Sequence, residues 1–419
     1  MTAPTLERRL AAFRAARDRP PAGAPTVALP RHRGDGLAER LAAAIDGEWL
    51  RTPLGNVVRR EPRDVTVPLE RERLARLPGQ PGPDVPLVCL DTETTGLGTA
   101  AGTVAFLVGL GWWEGPRFRE VQLLLPDHAD EPALLAALEA AIPAAAWLVT
   151  YNGRGFDWPL LVTRYRLFRR AAPDHAGMLD LLPHVRRLFR HRLGDARLAT
   201  VERELLGVRR VDDVAAWEIP GRYLDFLRGG SADPLAAVVT HNEEDVRSLA
   251  LLLAHLDARY GDRDRRRAAP PGDLVALARG FTRERRHEDA LDCLDDAAAG
   301  LAAGPAARAD TGWPVPNVGP DRVAAERART LRRLGRPGAA LVAWGALARH
   351  GGPLAAMAWI EVAKLREHGE GDPVAALAAA DAAGRLLELA RLVGLPDTRL
   401  EAALAVRRRR LRARLLRAG

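Results

Sequence analysis

VCLDTETTGLG, residues 88–98, is an apolar strand that runs directly into two carboxylates and then into a glycine-containing turn. Because side chains at i and i+2 of a strand point to the same face, Asp91 and Glu93 are expected to converge at the strand end. Adjacent anions repel each other unless cations neutralise them, and Mg²⁺ or Mn²⁺ suits such oxygen ligands. A strand end with two solvated acids is the alternative.

The composition indicates a globular protein with a basic surface. The 419 residues are 47% hydrophobic and 28% charged, with a formal net charge of +8, and the length allows two or three domains. The positive residues are arginines apart from Lys364, and arginine binds phosphate bidentately. The composition therefore favours a polyanionic partner, although a GC-rich genome would inflate the same residue types.

Membrane association is not expected, because no apolar run reaches the ~18 residues of a membrane span and the N-terminus lacks a signal-peptide core. Cys89 and Cys293 fall in different predicted domains and form neither a disulfide framework nor a zinc spacing. We expect a cytoplasmic protein.

The chain divides into three regions. Residues 1–85 are rich in proline and arginine, and we expect them to be partly ordered and to pack on the domain C-terminal to them, with a helix at 6–19 and a turn between short strands at 52–56. Residues 86–260 are predicted to form an α/β domain with a mixed sheet. Residues 270–419 are predicted to be all-helical.

In the α/β region, the pattern predicts strands at 86–91, 103–113, 117–125 and 147–151, and helices at 131–142 and 234–256, with mainly helical structure from Phe156 on.

The C-terminal region contains three segments in which a second helix opens with Ala-Leu. The interval between Ala340 and Ala376 is 36 residues, close to the ~34 of tetratricopeptide helix pairs, and an insert covers 304–320. A generic helical bundle rich in alanine and leucine is the alternative. The segments are 276–294, 328–344 and 361–380.

Further acids follow the strand at 147–151 and lie on the last helix of the α/β region. Asp157 opens a helix, where it serves either as a first-turn residue or as a carboxylate facing Asp91. His241 and Asp245 are four residues apart and share a helix face that dips into the domain, whereas Glu243 and Glu244 are expected to face solvent. Four acids and a histidine suit two divalent cations, Mg²⁺ or Mn²⁺, and in-line phosphoryl displacement.

These motifs, in this order, resemble those of the DEDD (DnaQ-like) exonucleases, and most closely the bacterial YprB-type family. The matching patterns are DxETTGL at 91–97, NGxxFDxP at 152–159 and HxxxD at 241–245. The resemblance implies an α/β fold, a ribonuclease H-like mixed sheet with flanking helices over about 86–260, followed by an all-α helical-repeat domain.

The resemblance also implies roles for individual residues. The metal ligands would be Asp91, Glu93, Asp157 and Asp245, and the general base would be His241. The chain departs from the family here, because the histidine branch places its base five residues before the last Asp, and the tyrosine branch four. Here a histidine has the four-residue spacing.

Substrate contacts are expected beside these acids. Each expected contact has a structural alternative: it could form a turn, be an aromatic side chain of the core, or belong to a solvated helix face. The expected contacts are Thr94, Thr95, Gly96, Leu97, Asn152, Phe156, Arg186 and Arg187.

The function that the resemblance implies is a metal-dependent 3′→5′ exonuclease acting on DNA, in repair or processing, with helical repeats that dock a partner such as a helicase. An RNA-trimming exoribonuclease is a second hypothesis. A non-catalytic nucleic-acid-binding scaffold is a third, and the four acids argue against it, because a binder has no need of their mutual repulsion.

Overall fold

The computed structural model divides into two compact units, one containing the chain up to Arg187 together with Leu193–Asp262, the other containing Leu188–Arg192 and the chain from Arg263 on. The predicted helix at 6–19 and nearly all of the predicted insert at 304–320 lie outside the described residues. The structure describes residues 34–74, 76–96, 102–211, 213–303 and 318–418.

A mixed sheet of eight strands organises the first unit. The strands are β1 (Glu48–Thr52), β2 (Gly55–Arg60), β3 (Val65–Thr66), β4 (Leu87–Thr94), β5 (Ala105–Glu114), β6 (Arg117–Leu124), β7 (Trp147–Thr150) and β8 (Gly177–Asp180). Their order is β1-β2-β6-β5-β4-β7-β8, and β3 also pairs with β6. Strand β4 is antiparallel to β5 and parallel to β7, which is parallel to β8. The predicted mixed sheet is confirmed.

Two features of the sheet were not predicted from the pattern. Strand β8 has four residues, GMLD, too short to show a period, and it lies where mainly helical structure was predicted. The expected turn at 52–56 joins β1 and β2 into a hairpin whose second strand pairs with β6. The segment before residue 86 therefore supplies three strands of the same sheet.

Helices flank this sheet, and the long one that carries His241 lies across its centre. Gly109 and Gly111 of β5 make this approach possible, because a Cβ at Gly109 would stand 2.3 Å from Asn242 Oδ1. A Cβ at Gly111 would stand 2.8 Å from Val246 Cγ1. The helices are α1 (Asp35–Ala44), α2 (Arg71–Leu74), α3 (Glu131–Ala141), α4 (Asp157–Leu167), α5 (Leu182–Phe189), α6 (Leu198–Val201), α7 (Ile219–Leu227) and α8 (Pro234–Gly261), with a π-helical turn at Glu202–Leu206.

The second unit is helical where it is described. Its core surrounds the fully buried Trp344 and is built largely from alanines such as Ala358, Ala363 and Ala380, which let helices approach closely. No described helix is long and apolar enough to cross a membrane. The helices are α9 (Arg263–Arg267), α10 (Pro271–Arg283), α11 (His287–Ala302), α12 (Pro320–Arg333), α13 (Pro337–His350), α14 (Ala355–His368), α15 (Pro373–Leu392) and α16 (Thr398–Ala418).

Candidate metal centre

Strand β4 carries the first two acids where its buried part ends. Residues Leu87–Leu90 are buried, and from there Asp91 and Glu93 alternate with the more deeply buried Thr92 and Thr94. A register shift between Glu93 and Thr94 interrupts the pairing with β5. The strand therefore presents two carboxylates on one face just before its ladder becomes irregular.

The turn after β4 uses its polar groups internally. The hydroxyl of Thr94 donates to the carbonyl of Gly96 at 2.6 Å, and Thr95 Oγ1 accepts from the backbone N–H of Val104 at 3.0 Å. These bonds favour a turn-forming role for both threonines. Leu97, the predicted wedge against a nucleotide, lies outside the described residues.

Asp157 reaches the site from a tight turn between β7 and α4. Asn152 adopts a left-handed φ of 65°, and Gly153 lies so close to Thr150 that a Cβ would be 2.6 Å from the Thr150 Cβ. The carboxylate of Asp180, at the end of β8, accepts the backbone N–H of Asn152 at 2.9 Å. Asp157 then opens α4 buried, and its Oδ1 accepts the hydroxyl of Thr92. This bond joins the first two motifs.

Helix α8 brings His241 and Asp245 to the same place. His241 Nε2 lies 3.8 Å from Glu93 Oε1 and 3.7 Å from Asp245 Oδ2. Potential metal-ligating atoms of these three residues all lie within 4.8 Å of one another. His241 thus stands among the predicted ligands, where its Nε2 is placed to ligate a cation or to accept a proton.

We call Asp91, Glu93, Asp157 and Asp245 the acidic cluster. Burial raises the pKa of each of these carboxyls, to about 6 for Asp157, and repulsion from neighbouring acids adds to every shift. The repulsion that Asp91 experiences comes from the other three acids. The four carboxylates are therefore close enough for their charges to act on one another. Without cations, the folded protein therefore bears an electrostatic cost at this site.

Arg210 enters the same site and was not predicted. Its side chain is 7% exposed and hydrogen-bonds to Asp245 Oδ1 and to Glu202 Oε1 of the π-helical turn. The Arg210 Nη1 also lies 3.0 Å from His241 Nδ1. The residue belongs to an irregular stretch, so no periodicity could have indicated that it points inward.

Asp213 is the second site residue that sequence reasoning missed. Its Oδ1 lies 2.6 Å from His241 Nδ1, on the side of the ring opposite the acidic cluster. A proton on Nδ1 that is donated to Asp213 leaves the Nε2 lone pair facing Glu93 and Asp245. Asp213 and Arg210 both contact Nδ1, and together they orient the His241 ring with its Nε2 toward Glu93 and Asp245.

A chain of side-chain hydrogen bonds extends from the acidic cluster to β2. The buried Asn242 donates from Nδ2 to Asp91 Oδ2 at 2.9 Å and accepts at Oδ1 from Gln122 Nε2 at 3.0 Å. Arg60 of β2 then donates to Gln122 Oε1 at 2.8 Å and to Glu243 Oε2 at 2.6 Å. Glu243 was expected to face solvent, which is wrong: its side chain is 11% exposed, because Arg60 and Arg247 draw it against the sheet.

The remaining predicted substrate residues lie on the surface near the turn that carries Asp157. Asn152 is exposed and Phe156 is half-buried. Arg186 and Arg187 are exposed on α5, and Arg186 acts electrostatically on the Tyr151 hydroxyl beside that turn. Their exposure leaves them accessible to a substrate but does not assign them one.

The donor atoms of the site fit hard divalent cations. Four carboxylates and one imidazole are the available ligands, and neither free cysteine, Cys89 or Cys293, belongs to the cluster. Oxygen-rich sites of this kind select Mg²⁺ or Mn²⁺ over thiophilic ions.

Comparison with known proteins agrees with this geometry. Residues 88–257, which include every acid of the cluster, match the family model of the RNase_H superfamily. The chain is also 36% identical over 213 residues to a Bacillus subtilis (strain 168) protein named "Uncharacterized protein YprB". That alignment covers 50% of this chain, and the chain spans about half (51%) of the length of that relative. The mixed sheet is thus that of an RNase H-like domain, which the family match places at residues 88–257.

Proposed function

We propose that this protein is a metal-dependent DEDD-type exonuclease that hydrolyses the phosphodiester bonds of DNA from the 3′ end, in DNA repair or processing. The observation that carries the proposal is that carboxylates from β4, α4 and α8 lie close enough for their charges to act on one another, beside a histidine that contacts Asp213. Neighbouring acids of this kind repel one another, and the repulsion is costly unless positive charge relieves it.

The ligands in this proposal are Asp91, Glu93, Asp157 and Asp245, which would hold two divalent cations, Mg²⁺ or Mn²⁺. Such ions would supply the positive charge that lowers the pKa of an attacking water and stabilises a leaving oxygen. Thr92 and Asn242 hold the Asp157 and Asp91 carboxylates in place through one hydrogen bond each, so that little reorganisation is needed.

His241 is the proposed general base. Its Nδ1 faces Asp213, so the proton that it accepts would come to Nε2, the nitrogen nearest Glu93 and Asp245. The four-residue spacing from His241 to Asp245 keeps both on one face of α8. Arg186 and Arg187 would neutralise substrate phosphates, and Asn152 and Phe156 would contact the terminal nucleotide.

The test is degradation of 3′- and 5′-labelled single- and double-stranded DNA and RNA by the full chain, with Mn²⁺, Mg²⁺ or EDTA. Asp157→Asn removes one charge of the acidic cluster without changing its shape. We expect it to reduce the rate by about a thousandfold, since both cations depend on the shared charge. Asp174→Asn is the matched control, because Asp174 is an exposed aspartate of the same unit.

Each outcome of this assay selects one hypothesis. Shortening of DNA from the 3′ end that needs a metal and is lost in Asp157→Asn supports the proposal. Degradation confined to RNA would instead support an RNA-trimming exoribonuclease. Binding of either nucleic acid without any degradation, in wild type as in the variant, would support a non-catalytic scaffold.

The helical second unit is proposed to bind a partner rather than to take part in hydrolysis. We propose that its helix pairs form tetratricopeptide-like repeats that dock a protein partner such as a helicase. The succession of pairs α10–α11, α12–α13 and α14–α15 supports this, since each is two helices joined by a short turn. A cytoplasmic location is also part of the proposal, and the two free buried cysteines are consistent with it.

A further inference from the structure

We propose that Arg210 is an internal counter-cation of the acidic cluster, and that a divalent cation using Asp245 binds in competition with it. This inference rests on the proposed function, because it takes Asp245 to be a metal ligand. It adds a residue outside the sequence motifs that sets how tightly the site holds its metal.

The contacts of Arg210 are those of a cation held by several anions. Its guanidinium hydrogen-bonds to Asp245 and Glu202, and its Nη1 lies 3.5 Å from Asp213 Oδ2. Its Nε lies 3.5 Å from Glu244 Oε2. One positive charge is thus shared among four carboxylates, and one of these belongs to the acidic cluster.

Because Arg210 is buried, its charge interacts more strongly with these carboxylates than it would in an ion pair at the surface. The side chains of Arg210, Glu202 and Asp245 are 7%, 2% and 16% exposed, so solvent screens their interaction weakly. The raised pKa of Asp245 has burial as its main cause, and Arg210 opposes that rise. In the metal-free site, Arg210 therefore does part of what a divalent cation would do.

The hydrogen bonding of Arg210 is incomplete at Nε, the nitrogen that faces Glu244 rather than Asp245. Its buried Nε–H has no hydrogen-bond partner among the described residues. A guanidinium selected only to brace the fold would be expected to use all its donors, because an unpaired buried donor costs free energy. The arrangement fits an arginine that holds Asp245 without being fixed in that position.

Competition follows from the shared carboxylate. Arg210 takes Oδ1 of Asp245, which leaves Oδ2 for another cation. A divalent ion on either oxygen would be repelled by the guanidinium, unless the side chain rotates away toward Glu202 or Glu244. Removing the guanidinium charge should therefore strengthen metal binding, although it removes two hydrogen bonds.

The experiment titrates Mn²⁺ into the full chain without nucleic acid and measures free Mn²⁺ by electron paramagnetic resonance. Arg210→Gln is expected to bind the weaker-held Mn²⁺ about tenfold more tightly than wild type, a typical coupling between neighbouring charged sites. Arg210→Lys, which keeps the charge, should stay close to wild type. Arg209→Gln is the control, since Arg209 is the exposed neighbour and carries the same charge change.

Thermal unfolding provides the second readout. Arg210→Gln should be less stable than wild type in EDTA, because Glu202 and Asp245 lose a buried partner, and Mn²⁺ should raise its melting temperature more than it raises that of wild type. A variant that is destabilised and that Mn²⁺ does not rescue would identify Arg210 as a structural residue and overturn the inference.

The two proposals can fail separately. Unchanged or weaker Mn²⁺ binding in Arg210→Gln, with wild type binding Mn²⁺, would overturn the competition and leave the proposed function standing. No Mn²⁺ binding by wild type would overturn both.

Discussion

The acids of the site come from regular elements, whereas Arg210 and Asp213 come from a stretch that is irregular where it is described, at 207–211 and 213–218, and that we call the connecting segment. Asp91 and Glu93 lie on a strand, and His241 and Asp245 on a helix, so that their faces follow from a period of 2 or 3.6 residues. The connecting segment follows a π-helical turn that Gly207 ends in the left-handed conformation. The proposed ligands are thus in predictable places, and the charges proposed to tune them are not.

This difference suggests a division of labour that mutations can break. On this hypothesis, residues of the regular elements take part in the reaction, and residues of the connecting segment orient them. Substitutions in the two sets should then differ in how much they reduce turnover and in how far that reduction depends on the metal.

Asp213→Ala tests the connecting segment, and its expected effect on turnover is the largest after that of Asp157→Asn. Loss of the Asp213 carboxylate frees the His241 ring, and we expect kcat to fall by about 10–100-fold with KM little changed. Steady-state kinetics on a labelled DNA strand would measure both constants. Asp225→Ala is the control, because Asp225 is an exposed aspartate whose ion pair, with Arg228, lies at the surface. A kcat equal to that of the control would show that the connecting segment does not orient His241.

Gly109→Ala tests the regular elements without changing any charge. The added methyl would be 2.7 Å from Val246 Cγ2 and closer to Asn242, so α8 must shift away from the sheet. We expect a loss of about 1–3 kcal/mol in the free energy of unfolding and about a tenfold loss of activity through His241 and Asp245. Urea denaturation and the nuclease assay would measure the two effects. Gly102→Ala, where none of the described residues lies within 4 Å of the new Cβ, should change neither.

The pH dependence of stability in EDTA is the smallest expected effect. The folded pKa of Asp157 is about 6, above its ordinary value of 3.8, so between these values the folded chain binds more protons than the unfolded chain. Stability should therefore fall as the pH rises from about 4 to about 6, on the order of 2 kcal/mol. The other three acids shift in the same direction. Saturating Mn²⁺ should flatten the profile, and a slope of the opposite sign would contradict the burial of these charges.

The sequence predicted the elements in which an apolar pattern repeats with the period of a strand or a helix over enough residues. Strands β4 to β7 and helix α8 were predicted because alternation and helical spacing extend over enough residues. Strand β8 was missed because four residues cannot show a period, although Asp180 at its end holds the turn before Asp157.

Long-range pairing explains what else could not be predicted. Arg60 and Glu243 are 183 positions apart, and their contact depends on β2 pairing with β6. Nothing local to HNEED, residues 241–245, indicates which of its acids meets a distant arginine. Glu243 was therefore assigned to solvent, whereas the structure turns it toward the sheet.

The hydrogen-bond chain from Asp91 through Asn242 and Gln122 to Arg60 has a consequence for choosing fragments of this protein. The superfamily match begins at residue 88, whereas Arg60 and the hairpin that carries it lie upstream. A truncation at the family boundary would keep every acid of the cluster, yet it would remove Arg60 from Gln122 and Glu243 and would leave β6 without its pairing to β2. The smallest fragment of this chain that folds as the RNase H-like domain should therefore begin before β1, well ahead of the domain edge that the match defines.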